Sequence, residues 1–114
     1  LNIYVAGPMR GVPNFNFPAF HAATLKLRAA GHTVFNPAER DEQEYGPEIG
    51  KSATGDLGDA VQKGFSLREA LAADMAYIAL QAEAVCMLPG WESSKGARAE
   101  KALAEALGLE VLYA

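Results

Sequence analysis

Apolar and polar positions alternate along the chain in blocks whose spacing switches between strand-like and helix-like. NIYVAG (residues 2–7) is a β-rich run stopped by Gly7 and Pro8, and reads as a strand leading into a loop. FPAFHAATLKLRAAG (17–31) has helical spacing through Phe20, Leu25, Leu27 and Ala30, with Gly31 as a C-terminal cap. HTVFNP (32–37) is a second short strand closed by Pro37, so the first third predicts a right-handed βαβ unit. From Ser66 the period returns: Leu67, Leu71, Met75, Ile78 and Ala82 mark one face, and Ser66 with Glu69 has capping-box spacing. AVCMLP then reads as a third strand, residues 94–107 as a last helix and LEVLY as a fourth strand. The pattern predicts an α/β fold: a small Rossmann-like (flavodoxin-like) three-layer sandwich on a mostly parallel sheet of four or five strands.

Residues 38–64 break the pattern. They are rich in acidic residues, hold five glycines and lack periodic apolar spacing, which predicts a mobile loop carrying at most a short helical piece. Long loops in compact domains are uncommon and often functional, which favours a lid over an inert excursion. Glu39, Arg40, Asp41 and Glu42 read as a solvated charge run.

A chain of 114 residues, half of them apolar, suits a single domain with a modest core. A formal net charge of −4 argues against a duplex nucleic-acid surface but leaves room for one local positive pocket for a small anion. Cys86 sits in an apolar run and reads as a core residue. With neither a signal peptide nor an apolar stretch of about 20 residues, the sequence predicts no membrane association and a cytoplasmic location. His21 and His32 make no metal pattern, and HExxH, CxxC, the serine nucleophile elbow and GxxxxGK[ST] are all absent.

Ligands in open parallel sheets bind beyond the carboxyl ends of the strands, so the loops that follow them hold the candidate chemistry. In GWESSKGARAE (90–100), Ser94 at a helix start and Gly96 just inside it would present free N–H groups and a hydroxyl to an anion, although an ordinary serine cap reads the same way. Lys95 would add charge. Glu100 lies six residues beyond Ser94, about 9 Å along the helix, where it would face a sugar whose phosphate occupies the helix end. In GPMRGVPNFNF, Gly7 and Gly11 allow close backbone approach and Arg10 offers a cation; the alternative is a plain turn with Arg10 in water. Asn14 and Asn16 alternate with Phe15 and Phe17, either as base-reading groups beside stacking faces or as a cap and staple. Asp74, in an alanine-rich helical run near the border of its apolar face, needs solvent or a purpose.

YVAGPMRG, LAADMAYIALQAEAV and SSKGARAE resemble segments of the nucleoside 2-deoxyribosyltransferase superfamily. The serine and glycine ahead of the glutamate are closer to its deoxynucleoside 5′-monophosphate N-glycosidases. The chain also resembles a small family common in phages and prophages, marked by a GWExSKGAxxE run. The resemblance implies Glu100 as nucleophile on C1′ of the sugar, Tyr4 beside it, and Asp74 as a carboxylate that touches the sugar or assists the leaving base. It implies Ser94 and Gly96 as phosphate contacts, and Arg10 and Gly11 as first-loop contacts. Glu83 falls where relatives often carry aspartate, and Trp91 belongs to the phage-type run rather than to the glycosidase pattern. The implied activity is hydrolysis of a (deoxy)nucleoside 5′-monophosphate without metal or organic cofactor. Sugar transfer to another base and non-catalytic nucleotide binding are the alternatives. Relatives also imply a homodimer or higher oligomer, for which the Met75 and Ile78 face is the candidate surface.

Overall fold

A computed structural model describes residues 1–114. Its sheet contains β1 (Asn2–Ala6), β2 (Thr33–Phe35), β3 (Ala84–Met87) and β4 (Glu110–Tyr113) in the order β2-β1-β3-β4, with every neighbouring pair parallel. The helices are α1 (Phe17–Ala29), α2 (Pro37–Tyr45), α3 (Leu57–Val61), α4 (Leu67–Leu80) and α5 (Lys95–Ala106). This is the predicted α/β sandwich with four strands.

Strand alternation separates two cores. Val5 and Val34 pack with Phe17 and Phe20 of α1 on one face. On the other, Tyr4, Ala6, Val85 and Met87 pack with Ile78 of α4 and with Ala97 and Ala104 of α5. The chain winds from β1 through α1 to β2 in one direction and from β3 through α5 to β4 in the other. The carboxyl ends of β1 and β3 therefore form the switch point where a crevice opens. Gly7 is required there by packing: a Cβ at this position would lie 2.7 Å from Leu88 Cβ.

The acidic excursion holds two helices, α2 and the short α3, joined by turns. Asn36 caps α2 by accepting from the Ala38 N–H at 2.8 Å, and Pro37 supplies a pre-set first turn. Only Pro37, Ala38 and Asp41 of α2 are buried, so the helix has no large apolar stripe to reveal it. Asp41, expected in a solvated charge run, is 6% exposed. Farther on, the excursion is stitched to the first loop: Gly11 N–H donates to Gly55 O at 2.9 Å, Asn14 N–H to Ser52 O at 2.7 Å, and Ser52 N–H to Asn14 Oδ1 at 3.1 Å.

The apolar faces differ from the expected ones at particular positions. Leu25 is 74% exposed. In α4 the residues packed inward are Ala70 and Ile78, whereas Leu67 and Leu71 lie at a cavity wall. Ile78, at 1% exposure, is not available for self-association. No helix is long and apolar enough to cross a membrane.

Candidate active site

Tyr4 is the starting point. It sits in the central strand at 1% exposure, stacked on Phe35 at 5.6 Å, where a hydroxyl without a partner would cost roughly 1–3 kcal/mol. That hydroxyl donates to Glu100 Oε2 at 2.5 Å. Glu100 reaches it from α5 and is itself 6% exposed. Glu100 Oε1 has no protein partner and is not among the atoms sealed from solvent, so it faces the crevice. Asp74 joins from α4, with Oδ1 buried and unpartnered.

These groups line a cavity of about 540 Å³, a volume suited to a small organic ligand. Burial raises the Glu100 pKa to about 8; the Tyr4 hydrogen bond opposes the rise and the charge of Asp74 adds to it. Burial likewise raises Asp74 to about 7, helped by the charge of Asp41 and opposed by Tyr4 and Arg40. The Tyr4 hydroxyl is held well above its ordinary value by burial and by both carboxylates, and stays a donor. Near neutral pH Glu100 and Asp74 therefore hold protons that both carboxyls would have lost in water.

One end of the cavity is formed by the start of α5. Ser94 caps α5, its Oγ accepting from the Ala97 N–H at 3.2 Å, which leaves the hydroxyl proton free to donate. The N–H groups of Lys95 and Gly96 have no protein acceptor. A Cβ on Gly96 would meet only Ser94 Oγ, at 4.0 Å, so neither packing nor backbone angle demands glycine there. Lys95 stands at this helix start and Arg10 also lines the cavity, both exposed and free of ion pairs.

Tyr4, Gly7, Arg10, Gly11, Asp74, Ser94, Gly96 and Glu100, singled out from the sequence, all line this cavity. Three other candidates do not. Asn16 has a left-handed backbone (φ 62°), which keeps its side chain from the capping geometry, and it lies outside the cavity. Glu83 is at the opposite, amino-terminal end of the strands, where its Oε1 accepts from the Asn2 N–H at 2.8 Å. Trp91 packs on the outer side of α5, against Tyr113 at 6.2 Å and beneath the Lys101 ammonium at 5.0 Å. Asp41 was missed. Its signal was available: Asn36-Pro37 marks a helix start, and Asp41 falls one turn after the small residue Ala38.

Residues 1–113 match the family described as Domain of unknown function (DUF4406). The chain belongs to the DUF4406 family. No curated protein and no solved structure matched this DUF4406 domain. The domain presents no group of three His, Cys, Asp or Glu side chains that would hold a metal ion. Its cavity is lined by two buried carboxyl groups, Glu100 and Asp74, together with the start of α5. Carboxyl pairs with separated roles serve glycosidic bond chemistry.

Proposed function

We propose that this DUF4406 domain cleaves the N-glycosidic bond of a deoxynucleoside 5′-monophosphate, in the cytoplasm of a bacterial or phage-infected cell. The observation that carries the reading is the buried Glu100, held by Tyr4 beside Asp74, little more than one helix turn from the free N–H groups of Lys95 and Gly96. The likeness of its motifs to the nucleoside 2-deoxyribosyltransferase superfamily supports the same assignment.

The 5′-phosphate occupies the α5 terminus, where two N–H groups, the Ser94 hydroxyl, Lys95 and Arg10 meet its charge. The sugar then lies over Glu100. Tyr4 occupies Oε2, so Oε1 is the attacking atom. As the bond between C1′ and the base nitrogen lengthens, its electron pair leaves with the base and a proton from Asp74 neutralises it. The Glu100 carboxylate bonds to C1′, and water later hydrolyses this ester to 2-deoxyribose 5-phosphate.

The test incubates the protein with a panel of canonical and modified deoxynucleoside monophosphates, and with the matching nucleosides, and measures free base by chromatography. Release that requires the 5′-phosphate supports the proposal. Measurable binding without release across the panel overturns it in favour of a binding protein. Adding a second base as acceptor separates hydrolysis from transfer, because only transfer yields a new nucleotide.

Ser94→Ala tests the phosphate end. Losing the cap costs about 1 kcal/mol of stability, while the lost donor narrows the preference for nucleotide over nucleoside. We expect kcat/KM for the nucleotide to fall about 10-fold or more, with that for the nucleoside little changed. An unchanged preference removes Ser94 from phosphate recognition.

A further inference from the structure

This inference rests on the function proposed above and names how the base is chosen. Away from α5 the cavity is walled by Phe15, Phe17, Phe20, Ile49 and Phe65, apolar surfaces that surround an aromatic ring without distinguishing one base from another. Phe15 is held there at some cost: Asn14, Phe15 and Asn16 have consecutive positive φ angles of 55°, 51° and 62°. Asp41 brings a charge to this wall. It shares the inward side of α2 with Ala38, which packs in the same cluster as Phe15, Phe17 and Phe20.

The fold gives Asp41 little in return for its burial. Asn36, not Asp41, caps the helix. The Arg40 contact to Oδ1 is 3.4 Å, at the long limit of a hydrogen bond. Oδ2 has no protein partner, yet, unlike Asp74 Oδ1, it is not sealed from solvent. A carboxyl group taken this far from water without a good partner is destabilising. Asp41 lines the cavity, so a ring bound there can supply the missing partner.

We propose that Asp41 selects the base, accepting a hydrogen bond from the exocyclic amino group of a cytosine- or adenine-type ring and rejecting the carbonyl that replaces it in uracil or hypoxanthine. Burial holds the Asp41 carboxyl near pKa 6, so at pH 7.5 it is ionised and only accepts. An amino group satisfies it; a carbonyl oxygen faces it with like charge. Both effects favour the amino base.

The experiment measures nucleotide binding by calorimetry at pH 7.5 in a Glu100→Gln background, which blocks turnover. The pairs dCMP with dUMP and dAMP with dIMP each differ by amino against carbonyl, and comparing the pairs separates pyrimidine from purine preference. In at least one pair the amino nucleotide is expected to bind about 10-fold or more tightly. Asp41→Asn, added to this background, brings that ratio to about 1 or inverts it, because its amide N–H₂ donates to a carbonyl. Asp41→Ser also removes the ratio and guards against misfolding of the first variant. A ratio unchanged by both variants, a preference for the carbonyl nucleotides, or no binding in any pair overturns the assignment. Wild-type protein that binds with the expected ratio but frees no base overturns the glycosidase function alone and leaves Asp41 as the base selector.

Discussion

Glu100→Gln is expected to abolish base release, by roughly 10⁴-fold or more, while nucleotide binding persists. Glutamine keeps the shape of the side chain, and its amide oxygen still accepts from Tyr4, so the cavity is preserved; what it lacks is a carboxylate to capture C1′. The same substitution has a thermodynamic signature independent of substrate. The Glu100 pKa is raised from an ordinary 4.5 to about 8 in the fold, with burial as the main cause. Below pH 4.5 the carboxyl is protonated in folded and unfolded chains alike and pH costs nothing. Between 4.5 and about 8 the unfolded chain ionises while the folded one retains its proton, so stability falls as pH rises through that window. Thermal unfolding from pH 4 to 8.5 checks this: the wild type loses Tm, at roughly 4–8 °C per kcal/mol for a domain near this size, and Glu100→Gln loses less. Parallel Tm curves would remove Glu100 from the titrating cluster, and normal turnover by the variant would remove it from the reaction.

Asp74→Asn is expected to lower kcat/KM by roughly 10²–10⁴-fold. The proposed reaction needs Glu100 ionised and Asp74 protonated, although Asp74, at about 7, is the stronger acid of the two in the free protein. The wild type should therefore show a bell-shaped pH profile of kcat/KM with its maximum between about 7 and 8, its limbs belonging to the pair rather than to either residue. Without Asp74 the falling alkaline limb disappears, because no proton is left to lose. A nucleotide whose base departs without protonation should be spared most of the rate loss. If both classes of substrate slow equally, Asp74 shapes the site and does not deliver the proton.

The strands were legible because each is a short apolar run bounded by glycine, proline or a charged residue, and their alternation with helices forecast the parallel sheet. α2 was not, because periodicity reports burial of large apolar side chains and this helix buries a proline, an alanine and an aspartate. Leu67 and Leu71 expose the converse limit: helical spacing gathers them into one apolar face, yet they are 41% and 36% exposed at the cavity wall rather than packed in the core. Within the site, Ser94, Gly96 and Glu100 lie on one helix, where sequence spacing translates into distance. Tyr4 and Asp74 meet Glu100 across the fold, and their motifs drew attention to them without showing the contact. Glu83 misled because sequence proximity to a strand does not say which end of the sheet a residue occupies.

The stitching of residues 52–55 to the first loop divides the domain by its capacity for change. Tyr4, Asp74 and Glu100 stand on β1, α4 and α5, which the sheet and its two cores hold in register. The wall opposite them is mixed: Phe15, Phe17 and Phe20 come from the first loop and α1, and Ile49 from the excursion, whose backbone bonds to that loop and not to the sheet. Within the stretch from Gly46 to Gly64, Leu57 lines the cavity without belonging to the core, whereas Ile49 and Ala60 are held by the cluster they share with Phe17, and Gly50 and Gly55 leave no room for a side chain. Under the proposed function, a change at Leu57 alters what the cavity admits and leaves Tyr4, Asp74 and Glu100 in place.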